Sequence, residues 1–378
     1  MNQHMPPQAM TLFDLIARRW DFEAEIKRVL FNKSGSSLAV FQADGRIGFV
    51  SVKDAEDPDS RMRVEVDSGR ASIRPRSKPL PQPAMASDAL ALGQVAPCRF
   101  GAQGFVFAEE ETELLWRATA RGQTLPVKTV EREPVTALAA LPGSGQVVLA
   151  HSEYLAFLSE DGGTENAPID LAHEVTGIAV SADEKRLACW GEGQISIVDL
   201  ATRAVTGGFS YDSEIHELVW SPCQAWLAAG CVDRSILLAD LVKPACDRIV
   251  DFPDEVRSLG FSAAGGALVA AGAYRIVGWH LPDLPFGTHE GTPIATGKPG
   301  LTIVDRVAPH PQRDLCAVAY ANGLVVICRV GHPDEMLLRA GTNIAVNSLE
   351  WSPDGTHLAI ADADGAVSIA TFPKNMFK

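Results

Sequence analysis

Short apolar runs, broken by turns rich in Ser, Pro, Asp and Gly, recur along this chain at a period of about 40 residues. The last copy, WSPDGTHLAIADADGAVSIATF from Trp351 to Phe372, shows the unit most plainly: a turn, an apolar run, a tight turn and a further run. Seven other segments repeat it, beginning near Glu25, Val95, Val135, Val175, Glu214, Glu255 and Val304. Helical repeats would show apolar positions every 3.6 residues over longer stretches, whereas these runs are short and closely punctuated. The pattern predicts an all-β chain of four-stranded propeller blades. Between the second and third runs, Asp44-Gly45, Asn322-Gly323 and Asp364-Gly365 read as the positive-φ pairs of two-residue hairpins. Eight blades can be counted, or seven if the divergent stretch from Val95 to Val130 lies outside the ring.

The ends of the chain predict how the ring closes. Too few residues follow Phe372 to make an outer strand for the last blade, while LFDLIARRWDF, Leu12 to Phe22, precedes the first blade at the spacing an outer strand would have. Residues 12–22 are therefore expected to pair beside the third strand of the eighth blade, leaving no long free edge. Residues 1–378 read as a single propeller domain, since the repeat spans nearly all of them. One interruption breaks the period, a basic Pro-rich insertion at 70–86 that carries Arg70, Arg74, Arg76 and Lys78. Its prolines favour extended or irregular backbone.

The chain resembles the WD40 repeat family, most specifically in Trp351-Ser352-Pro353-Asp354-Gly355 and Trp220-Ser221-Pro222, which match that family's turn after the inner strand. Val198-Asp199-Leu200 and Ala239-Asp240-Leu241 look like weakened forms of its Trp-Asp ending. The resemblance implies blades whose inner strands line a central channel. It also implies that the loops entering those strands share one face with the turns between second and third strands.

Hydrophobic residues make up 46% of the chain, enough for a substantial core, and no long apolar run suggests export or membrane insertion, so a cytoplasmic protein is expected. None of the seven cysteines belongs to a Cys-x-x-Cys pair. Cys189, Cys316 and Cys328 fall in strands and read as buried apolar residues, while Cys98, Cys223, Cys231 and Cys246 fall nearer turns. A formal charge of −14 argues against a nucleic-acid partner, which would need clustered Lys and Arg.

Much of that charge is expected on the face where the inner strands begin. Asp21, Glu23, Asp212, Asp251 and Asp254 fall in its loops with Glu131 and Glu133. Glu109, Glu110, Glu111, Glu113, Glu153, Glu192, Asp233 and Asp362 fall near its turns. A Glu directly precedes the inner strand in four copies: Glu25, Glu174, Glu214 and Glu255. Such residues are either solvated edge positions, partly neutralised by Lys27, Arg28 and Arg257, or an acidic mouth for a basic peptide or a cation. His216 and Glu217 follow close behind and are counted with that mouth, and Asp305 and Arg306 occupy the same place in the seventh copy. Arg74, Arg76 and Lys78, taken to join blades one and two on this face, are expected to form an electrostatic cover over it.

Catalytic motifs are absent: there is no Gly-x-Ser-x-Gly, no His-Glu-x-x-His and no phosphate loop. No cofactor is expected. The sequence points to a non-catalytic scaffold for a protein or basic peptide, with no nucleic-acid or membrane partner. The alternative is a metal- or small-ligand-binding propeller, an auxiliary metal-handling factor or a hydrolase, using His173, His216 and the glutamates.

Overall fold

The computed structural model describes residues 10–65, 67, 71–86, 95–109, 115–127, 134–161, 163 and 168–377. The apolar runs are antiparallel strands, and second strands such as Ser37–Gln42 and Leu315–Tyr320 are buried at every position. They are sandwiched between neighbouring blades, so they read as continuous apolar segments, not as an alternation.

Eight sheets follow one another around a central channel, a β-propeller as the sequence predicts. Their inner strands are Ile26–Phe31, Cys98–Phe100, Val135–Leu141, Gly177–Val180, Ile215–Trp220, Leu259–Ser262, Val304–Pro309 and Val346–Trp351. The divergent stretch from Val95 is therefore blade two. Blade six has three strands; beyond His280 the chain makes a short 3-10 helix, Leu281–Asp283, and only the bridge between Trp279 and Pro293 stands at the outer position.

The ring closes where the termini meet. Ala17–Asp21 pairs antiparallel with Ala366–Thr371, from Ala17 opposite Ala370 to Asp21 opposite Ala366. The expected strand is shorter than residues 12–22, because Leu12–Ile16 forms one helical turn instead. Its cause is local and tertiary together. Thr11 and Asp14 form a capping box, and the third strand of blade eight ends just beyond Ala370, leaving nothing for residues 12–16 to pair with. Ile16 is buried with Trp351, Leu358 and Phe372.

Arg18, on the closing strand, reaches into blade one. It is buried, and its two terminal nitrogens donate to the carbonyls of Ser51 (3.1 Å) and Val52 (2.7 Å), with Asp54 3.6 Å from its Nε. Arg76 also pairs with Asp54. Burial alone would raise the Asp54 carboxyl, but Arg76, the backbone and Arg18 together hold it below its ordinary range. This contribution is present above the ordinary Asp pKa and is lost as pH falls through the lowered one.

These contacts also relocate the basic insertion. It joins the third strand of blade one, Ile47–Ser51, to its two-residue outer strand, Ala84–Met85, and does not lead from blade one to blade two. Third strands end on the face opposite the channel mouth. There Asp54 and Asp57 share a cavity of about 470 Å³ with Asp354 and His357 of blade eight. From that side the segment runs along the rim: Arg61 donates to the carbonyls of Arg74 and Leu15, the Lys78 amide to Glu56, and Trp20 Nε1 to Pro81. Arg76 thus braces the closure between blades eight and one and is held away from the mouth, while Arg74 and Lys78 contribute a backbone carbonyl and amide and their side chains are exposed. Arg70 lies outside the described residues.

The turns differ from expectation in one respect. Gly45, Gly323 and Gly365 take positive φ (83°, 80° and 96°), but Asp44, Asn322 and Asp364 do not. Their side chains instead accept from the backbone amides of Arg46, Leu324 and Ala366. These are longer hairpin loops with a single left-handed glycine, not two-residue loops. The Ser-Pro turns repeat as well: Ser221 and Ser352 each accept through Oγ from the amide that starts the second strand, Trp226 and His357. Of the cysteines, all seven unpaired, Cys98 and Cys231 are buried despite lying near turns and Cys223 is exposed.

Tryptophans stitch neighbouring blades. Trp220 Nε1 donates to Ala179 and Trp351 Nε1 to Ala308, both at 2.9 Å, each reaching the inner strand of the preceding blade. Trp351 is 6% exposed and lies against His310 and Phe372, at ring distances of 4.7 and 5.3 Å; Trp220 is less buried. Trp351→Ala is expected to lower the unfolding free energy by about 3 to 5 kcal/mol, with a smaller loss for Trp220→Ala, as read by denaturant titration. Arg18→Ala, which orphans two carbonyls beside Asp54, is expected to cost about 3 kcal/mol. An unchanged midpoint would mean that the closure does not depend on this residue.

Candidate functional site

Five inner strands share an irregularity that shapes the channel mouth. The register between inner and second strands shifts at the second residue of the inner strand in blades one, three, five, seven and eight, at Lys27, Thr136, His216, Asp305 and Asn347. A bulge adds one residue to one strand and turns consecutive side chains toward the same side. Lys27-Arg28, His216-Glu217, Asp305-Arg306 and Asn347-Ser348 are accordingly all solvent-accessible, while the apolar residues before them, Ile26, Ile215, Val304 and Val346, are buried.

Beneath the mouth, the channel encloses about 810 Å³. The four repeated glutamates do not line it: Glu25, Glu174 and Glu214 are exposed and Glu255 half-buried on the rim above. Glu255 lies 2.9 Å from Arg257 and 3.0 Å from His216 Nε2, so the structure brings these three together. Glu25 accepts from Asn347 at 2.8 Å and Glu174 from Ser152 at 3.3 Å. Glu214 borders a second cavity with His216, Glu192, Asp212 and Tyr211, between blades four and five.

Other carboxylates of this face are neutralised. Arg46 pairs with Glu23 and Asp44, Arg248 with Asp212 and Asp233, and Asp362 is buried in a two-pronged pair with Arg339 at 2.7 and 2.8 Å. Glu153, Glu192 and Asp251 are exposed. Glu110, Glu111, Glu113, Glu131 and Glu133 lie outside the described residues. Large apolar side chains also stand exposed here: Tyr274, in the turn after the second strand of blade six, is 50% exposed, Val250, in the loop entering blade six, 58%, and Leu301, in the loop entering blade seven, 98%.

Glu217, unlike the rim glutamates, points into the channel. Water reaches it along the axis, yet the surrounding wall desolvates the carboxylate and raises its pKa, against the Leu259 amide, Arg28 and Arg306. Two channel groups were not singled out by sequence reasoning, Arg99 and Glu350, paired at 2.8 Å. Burial pushes Glu350 up to about 6, opposed by Arg99 and Arg28. The apolar-polar-polar-apolar start of inner strands (IKRV, IHEL, VDRV, VNSL) breaks strand alternation and marks the bulge, but it includes neither Arg99 nor Glu350.

The histidines of the metal reading are separately occupied. His173 is buried, with its ring nitrogens on the Glu174 carbonyl (2.8 Å) and Ser196 Oγ (2.9 Å), so it buttresses blade four. Among the described residues no group of three or more His, Cys, Asp and Glu side chains is placed to hold a metal ion. Among the described residues no helix is long and apolar enough to cross a membrane.

A carboxyl titration of Glu350 by NMR is expected to show a midpoint near pH 6. Arg99→Gln removes an opposing charge, and should move the midpoint higher still; a midpoint in the ordinary Glu range would place the side chain in bulk water.

Comparison with known proteins follows this geometry. The model of the anaphase-promoting complex subunit 4 WD40 domain matches residues 308–375, and that of the WD domain, G-beta repeat, matches residues 205–240. A search of curated proteins finds no match. Among solved structures, the C-terminal WD40 domain of Sif2 is similar at a TM-score of 0.64 and 12% identity, covering 96% of this chain and 99% of that one. A computationally designed protein, Ika8, is similar at 0.64 and 14% identity, covering 93% and 98%. The Pan2 WD40 domain of Neurospora crassa is similar at 0.58 and 10% identity, covering 98% and 99%.

Proposed function

We propose that this chain, a WD40-repeat β-propeller, is a non-catalytic scaffold that binds a basic protein or peptide on the face where its channel opens. Propellers of this family generally serve as protein-interaction scaffolds and are typically non-catalytic. The observation that carries the finer reading is the coincidence on one face of exposed rim carboxylates with exposed apolar side chains. Glu25, Glu174, Glu214 and Glu255 supply charge complementarity, and Tyr274 and Leu301 supply anchors. Charge governs the rate of encounter and the exclusion of wrong partners, while buried aromatic and apolar anchors hold the complex once formed.

Protein recovered with its native partner after cross-linking provides the test. Replacing the four rim glutamates by Gln should lower thermal stability only slightly, because three of the side chains are exposed and only the half-buried Glu255 gives up pairs, with Arg257 and His216. Partner association should slow and lose much of its salt dependence, since exposed charges are screened over about 8 Å at physiological ionic strength. Tyr274→Ala should weaken the complex chiefly by faster dissociation, by up to about 2 kcal/mol. A quadruple variant that binds as fast as wild type at low salt overturns the acidic-rim reading.

A further inference from the structure

The channel wall is divided chemically. Blades seven, eight, one and two contribute Arg306, Glu350, Lys27, Arg28 and Arg99 to one arc. Across from it, blades three and four contribute Ala137, Leu138, Ala140, Ile178 and Val180. Among the described residues, five Lys or Arg side chains line the channel, Arg257 of blade six included, against two carboxylates, Glu217 and Glu350. In a chain of net charge −14 this is a local reversal of sign. Charges within a Debye length dominate the field there, so the channel interior is cationic although the molecule is acidic.

The cations differ in what they already hold. Arg99 is committed to Glu350 and to the Phe31 carbonyl, at 2.8 Å each. Arg257 is committed to Glu255. Arg306 donates at 3.3 and 3.4 Å to the carbonyls of Asn347 and Arg257, with Asp305 4.0 Å away. Arg28 is exposed to the channel and, among the described residues, has no carboxylate within ion-pair distance. Arg28, Arg99 and Arg306 all line this one cavity. The channel, open along its axis, holds about 810 Å³, within the 300 to 1,000 Å³ range of small-molecule sites.

We propose that the channel is a binding site for a small organic anion, its phosphate or carboxylate held by Arg28 and Arg306 and its hydrocarbon part laid against the half-buried Ala140 and Ile178. Charge-assisted hydrogen bonds from guanidinium to such a group are strong where water is displaced, and the apolar arc gives a reason to prefer an organic anion to an inorganic one. This site is distinct from the acidic rim and does not rest on the rim's partner.

Calorimetric titration with phenyl phosphate, inorganic phosphate and phenol at low salt tests it. Phenyl phosphate should bind saturably and more tightly than either fragment. Arg28→Gln should weaken it about tenfold or more, Arg28→Lys should restore part of the loss, and Glu217→Gln should tighten binding by removing a competing carboxylate. Ile178→Asp should abolish the preference over inorganic phosphate. The quadruple rim variant should still bind phenyl phosphate, which separates this site from the proposed protein-binding surface. If Arg28→Gln does not fold, as judged by its circular dichroism melt, Arg306→Gln and Glu217→Gln carry the same test. No saturable binding of phenyl phosphate by wild type, binding indifferent to these substitutions, or equal affinity for inorganic phosphate would each overturn the proposal.

Discussion

Everything in this molecule depends on the pairing of Ala17–Asp21 with Ala366–Thr371. Each blade buries its faces against its neighbours, so an open ring would leave blades eight and one with apolar faces and strand edges toward water. Backbone pairing joins the closing strand to blade eight, with Ile16 and Trp20 packed into the core on either side of it. Arg18 extends the join to blade one, because its guanidinium satisfies two carbonyls at the end of that blade's third strand. The insertion then adds mass at the same seam, through Arg76 on Asp54 and Arg61 on Leu15. A segment whose charge and prolines suggested a surface function is thus structural reinforcement where the chain's two ends meet.

Elsewhere the ring is held by repetition. Trp220 and Trp351 make the same hydrogen bond to the preceding inner strand, and Ser221 and Ser352 organise the same turn. Blade four replaces the Trp with Val180 but keeps the turn through Ser181, whose Oγ accepts from the Arg186 amide at 3.0 Å. Its stability is supplemented differently, by buried His173 bonded to Ser196. The repeat tolerates such exchanges because each supporting contact is local to one blade or one interface, and a loss at one interface can be offset within the same blade.

The blades were legible in the sequence because their strands are buried on both faces and their turns carry chemically specific residues. What was hidden depended on pairing. That residues 12–16 coil into a helix follows from where the opposing strand stops, which is not written in residues 12–16 themselves. The basic insertion was assigned to the wrong connection because blade one's outer strand has only two residues, Ala84–Met85, too short to register as an apolar run. Arg99 and Glu350 escaped notice for another reason: they lie in the inner strands of blades two and eight, on either side of blade one and 251 residues apart in sequence, and only ring closure brings them within 2.8 Å.

The bulges of the inner strands separate support from recognition. At each, a buried apolar residue precedes the outward-turned pair, and in blades one, five and seven another follows it: Ile26 and Val29, Ile215 and Leu218, Val304 and Val307. Such flanking residues fix the strand between blades regardless of what the pair carries. The pair itself is free to be Lys-Arg, His-Glu, Asp-Arg or Asn-Ser, and its burial cost is small because the bulge leaves it facing water. Charge can therefore be placed around the channel without weakening the blade that presents it. An acidic rim standing above a cationic wall follows from that freedom. In blade one Glu25 precedes the bulge and is exposed on the rim, Lys27 and Arg28 lie within it and line the channel, and the sign of charge reverses within three positions of one strand.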